Sequence, residues 1–231
     1  MSVPTPSGDS APPAASPAPL FTCGPWSAAE LGPAQLPALQ DFFDANPDYF
    51  VAVTGQPAAR DEAREELHGV LPAGWPFTRK WVIAYFEPTN GSADGSTNRS
   101  TDERVNERIG EFSGTIAAMA TIVSDLLAPG VWHIGLFIAA TRLHGTGAAQ
   151  ALYRATEDWM RRSGAAWVRL GVVAGNARAE RFWAREGYAE TRTRGGLVMG
   201  ERVNTVRVMV KPVAGGALDD YLDMVARDRP D

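Results

Sequence analysis

An arginine, a histidine and two glycines share one short run: Arg142, His144, Gly145 and Gly147 in TRLHGTG. These residue types suit an anion. Glycine has no Cβ, so the backbone N–H groups around Gly145 and Gly147 can approach a phosphate closely. The run follows an apolar stretch, Ile134 to Ala140, and precedes a helical pattern that begins at Ala148. The first N–H groups of a helix lack intrahelical partners, and the aligned peptide dipoles leave partial positive charge there. Strand, glycine turn and helix together predict a pyrophosphate cradle. His133, at the head of the same strand, has an ordinary pKa of about 6.5, which suits taking a proton from an ammonium group.

Of two common phosphate loops, one is excluded and the other, the Rossmann site of a hydride-transfer enzyme, is the weak reading. No GxxxxGK(S/T) exists and no lysine follows the glycines, so this is not a P-loop. A Rossmann dinucleotide site needs GxGxxG and an acid after the next strand, whereas Gly145-Thr146-Gly147 continues as Ala148-Ala149-Gln150 and the strand end reads Val173-Ala174-Gly175-Asn176.

The elements that must hold this turn follow from periodicity. Leu36, Leu39, Phe42 and Phe43 have helical spacing ending near Asn46-Pro47, and a second helix is predicted over Ala58 to Leu67. The connection NPDYFVAV between them carries Tyr49 and Phe50, candidates to line a substrate pocket, with core packing the competing role for Phe50. Lys80 to Glu87, Gly114 to Val123 and the strand before the turn read as a three-stranded antiparallel meander. The polar, glycine-rich residues 88–112 between the first two read as a mobile insertion. After the turn, Ala148, Ala151, Leu152, Ala155 and Trp159 recur at helical spacing, and Trp167 to Val173 is the next strand, which makes a right-handed βαβ unit. Asn176 caps a helix whose inner face is Ala179, Phe182 and Trp183. Two final strands, Tyr188 to Arg192 and Asn204 to Val210, precede a C-terminal helix or tail over 214–231. The fold class is α/β: a mixed, mostly antiparallel sheet of six to seven strands with a parallel βαβ unit at its centre and helices on both faces.

Composition bounds the rest. The 231 residues, 45% hydrophobic, suffice for one domain over 23–213 behind a Pro/Ala/Ser-rich tail at 1–22 expected to be disordered. No apolar run approaches a spanning helix, and the N-terminus lacks a signal pattern, so a cytoplasmic protein without a membrane partner is expected. Net charge −5 argues against nucleic acid, and the single Cys23 excludes an intrachain disulfide and argues against a cysteine metal site. Arginines dominate from Arg142 to Arg207, which fits a small polyanion or, individually, solvated helix faces.

The segments RLHGTGAAQALY and NARAERFWAREGY together resemble the signature of the GNAT superfamily of N-acetyltransferases. The first is written R/Q-x-x-G-x-G/A there, met by Arg142, Gly145 and Gly147; the second is met by Asn176, Ala179, Phe182, Trp183, Gly187 and Tyr188. The resemblance covers roughly Trp81 to Pro212. It implies acetyl-CoA as cosubstrate, no metal, and a splayed sheet centre. The pyrophosphate would lie on Arg142, Leu143, His144, Gly145, Thr146, Gly147 and Ala148. The pantetheine arm would pair like an added strand with Phe137 and Ile138, against Asn176, Ala179, Phe182 and Trp183. Gly135 would mark the bulge that splaying needs, and a backbone N–H near Gly135 or Leu136 would polarise the thioester carbonyl.

The implied reaction is attack of an amine on the thioester through a tetrahedral species. Relatives often carry a tyrosine to protonate the leaving thiolate, but that position reads Trp183, whose indole N–H is a poor acid. His133 is the candidate base, with Asp125 and Glu87 as alternatives. The acceptor, a small-molecule or peptide amine, is unread, and a catalytically silent acyl-CoA-binding module is the competing function. Oligomeric state stays open, with a homodimer among the alternatives and Trp26 and Trp75 as candidate anchors.

Overall fold

The computed structural model describes residues 19–88 and 114–230. In chain order its strands are β1 (Pro19–Cys23), β2 (Trp26–Glu30), β3 (Arg79–Phe86), β4 (Ile116–Ser124), β5 (Val131–Ala139), β6 (Trp167–Val173), β7 (Ala189–Met199) and β8 (Arg202–Pro212). They form one sheet of order β1-β2-β3-β4-β5-β6-β8-β7, antiparallel throughout except for the parallel pair β5 and β6. The eight strands exceed the six to seven expected because PLFTC and WSAAE pair as a hairpin on the edge of β3. Proline and alanine around this stretch mask its strand character, and the tail predicted at 1–22 loses its last residues to β1. Residues 1–18, and the predicted insertion from 89 onward, lie outside the described residues.

One face of the sheet carries α4 (Ala148–Arg162) and α5 (Ala177–Arg185); the other carries α1 (Leu36–Ala45), α2 (Asp48–Thr54), α3 (Glu62–His68) and α6 (Leu218–Met224). The α2 segment is the stretch read as a connection. Val51, Val53 and two aromatics have modest helix propensity, yet Pro47 precedes the helix, Gly55 closes it with φ of 88°, and Phe50 anchors it in the core against Phe43 at 5.0 Å. Each strand expected from the sequence is present in the sheet, because alternate residues feed two separate cores. Trp132, Ile134, Val168, Leu170 and Val172 pack beneath α4 and α5, while Val82, Met119, Leu136 and Ile138 pack beneath α1 to α3. No helix among the described residues is long and apolar enough to cross a membrane.

Candidate active site

β5 and β6 are paired only at their beginnings. The register runs from Val131 opposite Trp167 to Ile134 opposite Leu170 and stops, although β5 continues to Ala139 and β6 to Val173. The cause lies in β5. Its register against β4 shifts between Thr121 opposite Leu136 and Ile122 opposite Ile134, which leaves Gly135 as an extra residue. Such a bulge kinks the strand and resets which side chains face which side. Trp132 and Ile134 therefore face the α4 side, yet Leu136 and Ile138 face the opposite core. Meanwhile β6 stays bound to β8 along its whole length, from Trp167 opposite Pro212 to Val173 opposite Val206. The result is a wedge whose two walls offer strand edges to an extended ligand.

The wide end of the wedge meets the glycine turn. Gly145 and Gly147 have φ of 78° and 84°, in the left-handed region that favours glycine, and a Cβ on either would meet nothing within 4 Å. This is open space beside the first turn of α4, a cradle that fits a phosphate group. The turn is held from within by Thr146, whose Oγ1 donates to the Leu143 carbonyl at 2.8 Å and accepts from the Ala148 N–H at 3.2 Å. It is held from outside by Asn46, whose Oδ1 accepts from the Thr141 N–H at 2.7 Å. His144 Nε2 lies 3.2 Å from the Ala139 carbonyl and must donate there, so Nδ1 accepts from Arg178 Nη1 at 2.7 Å. Arg142, at the start of the turn, forms an ion pair with Glu87 at 3.0 Å. Arg178, which the sequence motifs did not single out, brings a cation into the cavity; its place two residues after the Asn176 cap was the available signal.

Two cavities meet in the wedge. The first, about 340 Å³, is lined by Phe137, Ile138, His144, Asn176, Arg178, Ala179, Phe182 and Trp183 among others. The second, about 320 Å³, lies against His133, Gly135, Leu136, Arg169, Gly171 and Arg194. Both are lined by Tyr49, Phe137, Asn176, Ala179 and Trp183. Most of the expected cofactor residues thus share one cavity, while Arg142, Leu143, Gly145, Thr146, Gly147 and Ala148 form the turn beside it. Phe50 is core and does not reach either cavity.

The shared wall is aromatic. Phe137 stacks on Phe182 at 6.2 Å and meets Trp183 edge-on at 5.9 Å, and Trp183 packs on Tyr153 and Tyr188. Tyr188 hydrogen-bonds Tyr153 at 3.0 Å and burial raises its pKa, so it serves as a buried support for Trp183. Tyr49 supplies the phenol common to both cavities, and burial, reinforced by Glu66 and Glu62, pushes its pKa up.

His133 departs from the ordinary value expected of it. Burial first, and then the Arg169 guanidinium, push its pKa down to about 3. Its Nδ1 sits 3.0 Å from the Arg169 carbonyl oxygen and therefore carries the proton of a neutral ring. The alternative bases have structural duties. Asp125, at a φ of 52°, accepts from the Gly130 N–H at 2.7 Å and closes the β4–β5 turn, while Glu87 holds Arg142. Beneath His133, Arg169 binds Asp228 through Nε at 2.6 Å and Nη2 at 3.2 Å. Arg194 Nη2 and the Tyr221 hydroxyl bind the same carboxylate at 3.1 and 2.6 Å.

No curated protein matches the sequence. Solved structures match its fold. An acetyltransferase from Thermus thermophilus aligns with TM-score 0.57 at 14% identity, over 84% of this chain and 99% of that one. The spermidine N-acetyltransferase of Vibrio cholerae, solved with CoA and spermine, aligns with TM-score 0.56 at 12% identity, over 83% and 97%. The ribosomal-protein-S18-alanine N-acetyltransferase of Escherichia coli aligns with TM-score 0.52 at 14% identity, over 83% and 96%. The model of the Acetyltransferase (GNAT) family matches residues 61–188. That span takes in the glycine turn, the wedge and the aromatic wall, and with it the chain belongs to the GNAT family of acetyltransferases.

Proposed function

We propose that this chain transfers the acetyl group of acetyl-CoA to an amine by direct attack. The observation that carries the reading is the wedge at Gly135, with an open phosphate cradle at one end and two cavities that share part of their lining. The pyrophosphate rests on the turn at Gly145 and Gly147 with Arg178 beside it, and the pantetheine arm lies along Phe137 and Ile138. The acetyl group reaches the junction of the two cavities, where an N–H near Gly135 or Leu136 receives the developing oxyanion. Names of structural neighbours support an amine acceptor, since one is a spermidine N-acetyltransferase and another acts on ribosomal-protein S18 alanine.

Proton balance needs one donor. The amine nitrogen bonds to the carbonyl carbon, the C–S bond breaks, and the thiolate must gain the proton that the amine loses. Tyr49 stands at the junction with a raised pKa, so its hydroxyl is protonated and fit to give the thiolate a proton. The resulting tyrosinate then takes the proton released by the amine. Arg169 and Arg194 line the acceptor cavity and disfavour an ammonium ion, so the amine enters neutral. His133, neutral and with its proton committed to the Arg169 carbonyl, positions the amine through its other nitrogen.

Isothermal titration with acetyl-CoA tests the reading. Binding at micromolar concentration, with free coenzyme A released in the presence of an amine panel, is expected; absence of binding at millimolar acetyl-CoA would overturn it.

A further inference from the structure

We infer that the acceptor is a small amine that also carries a carboxylate, received by Arg194 and Arg169 in the second cavity. The inference rests on the acetyl-transfer reading. Arg169 and Arg194 both bind one carboxylate, Asp228, which is fully buried, and the Arg227 guanidinium stands near Arg194. That carboxylate has no capacity left. Oδ2 accepts from Arg169 Nε and the Tyr221 hydroxyl, both at 2.6 Å, while Oδ1 accepts from Arg169 Nη2 at 3.2 Å and Arg194 Nη2 at 3.1 Å. The Arg227 carbonyl takes Arg192 Nη1 at 2.8 Å and Arg194 Nη2 at 3.0 Å.

Arg194 is left under-used. Its Nε is buried without a hydrogen-bond partner, as is that of Arg227, whose guanidinium lies 4.2 Å over the Trp75 ring. Arg194 and Arg169 line the cavity, and Arg227 is close enough to act on Arg194, so positive charge stands where the acceptor enters. Burial and the other three arginines weaken the hold of Arg194 on its proton, and Asp228 offsets this only in part. Planar guanidinium groups with free N–H donors match a carboxylate better than any neutral group, and they repel a polyamine. Beside His133, Tyr49 and Asn176 the lining is largely apolar, with Leu136, Leu197, Val206 and Val208 on it, and about 320 Å³ lies at the small end of ligand pockets. An aliphatic amino acid satisfies all three features: neutral amine toward the thioester, hydrocarbon against the valines, carboxylate on the arginines.

The test compares matched pairs. Coenzyme A release is measured with glycine, β-alanine, 4-aminobutyrate and glutamate, each against its amide, and with spermidine. In parallel, the N-acetyl derivatives of the same acids and amides are titrated into CoA-loaded protein. At least one acid is expected to exceed its amide by tenfold or more in kcat/KM or in product affinity. Arg194→Gln should erase that preference while the acetyl-CoA Kd stays within twofold, and Arg194→Lys, which keeps the charge toward Asp228, should retain part of it. Equal treatment of acids and amides, preference for spermidine, or an unchanged ratio in R194Q would overturn the inference. Failure of acetyl-CoA to bind would instead overturn the acetyl-transfer reading, and the acid-to-amide affinity ratio on the unloaded protein would still decide the anion site.

Discussion

His133 and Arg169 lie opposite one another on the parallel strands β5 and β6, with the imidazole Nδ1 3.0 Å from the arginine's carbonyl oxygen. Burial first, and then the guanidinium of the same arginine, hold the ring neutral down to a pKa of about 3, and the carbonyl contact opposes them only in part. In the unfolded chain the ring titrates at about 6.5. Between these values the unfolded state binds a proton that the native state refuses, so stability is full above the unfolded pKa and falls as the pH drops toward the folded one.

The slope should be about 1.4 kcal/mol per pH unit from pH 6 to 4. Urea unfolding at half-unit intervals over this window measures it, and His133→Gln should flatten most of it. Asp228 does not obscure the result. Burial opposes its ionisation, but the Arg169 and Tyr221 hydrogen bonds hold its pKa below the ordinary value. Its contribution is therefore lost only below the unfolded carboxylate pKa of about 3.9. Wild-type stability that stays level from pH 7 to 5 would mean that the ring is not held neutral.

The phosphate cradle separates strain from charge. At Gly145 an added Cβ meets no atom within 4 Å, but φ is 78°, so any side chain costs about 1 kcal/mol or more in backbone strain. Gly145→Ala carries that cost alone and should weaken acetyl-CoA binding less than tenfold. Gly145→Glu adds a negative charge where the pyrophosphate rests and should weaken it at least 100-fold, by calorimetry on protein with an unaltered circular dichroism spectrum. Equal affinities in the two variants would place the pyrophosphate elsewhere.

Parts of this site could be read from sequence because they are local. Gly135 stands out as a glycine in an apolar strand, and Asn176, Phe182 and Trp183 follow a motif within one helix; the structure brings these residues to the wedge. What escaped depends on distant partners. Arg142 fits the glycine motif, but the ion pair of its guanidinium with Glu87, far upstream, could not be read there, nor could the place of Arg178 in the cavity lining. Nothing in the alternation of β6 distinguishes Arg169 from a solvated strand residue, because its partner Asp228 lies 59 positions away in a C-terminal stretch that reads as a tail. Tyr49 reads as a pocket residue from sequence, but its place at the junction depends on α2, which the β-branched content of its sequence conceals.

Asp228 makes that C-terminal stretch part of the core. It joins Tyr221 on α6 to Arg169 on β6 and Arg194 on β7. Asp228→Ala leaves the buried Arg169 guanidinium and the half-buried Arg194 without their shared carboxylate, and loss of one partner from a buried pair costs about 3–5 kcal/mol. Chemical denaturation should show that loss with little change in m-value. A cost below about 1 kcal/mol would mean that water reaches the cluster and replaces the carboxylate.

Tyr49→Phe isolates proton transfer from binding. The variant keeps the ring that lines both cavities and removes only the hydroxyl. If that hydroxyl protonates the leaving thiolate, kcat should fall about 100-fold, the lower range for a positioned acid, while acetyl-CoA affinity changes less than twofold. The pH profile carries the stronger information. Burial raises the phenol pKa, so the acid stays protonated well above the ordinary tyrosine range and the wild-type rate should not decline at alkaline pH on its account. In the phenylalanine variant the thiolate must be protonated by water, and a substrate whose thioester carries a more acidic leaving thiol should recover most of the lost rate. A variant whose kcat stays within threefold of wild type, or one that the better leaving group does not rescue, would remove Tyr49 from the proton path and leave solvent as the donor.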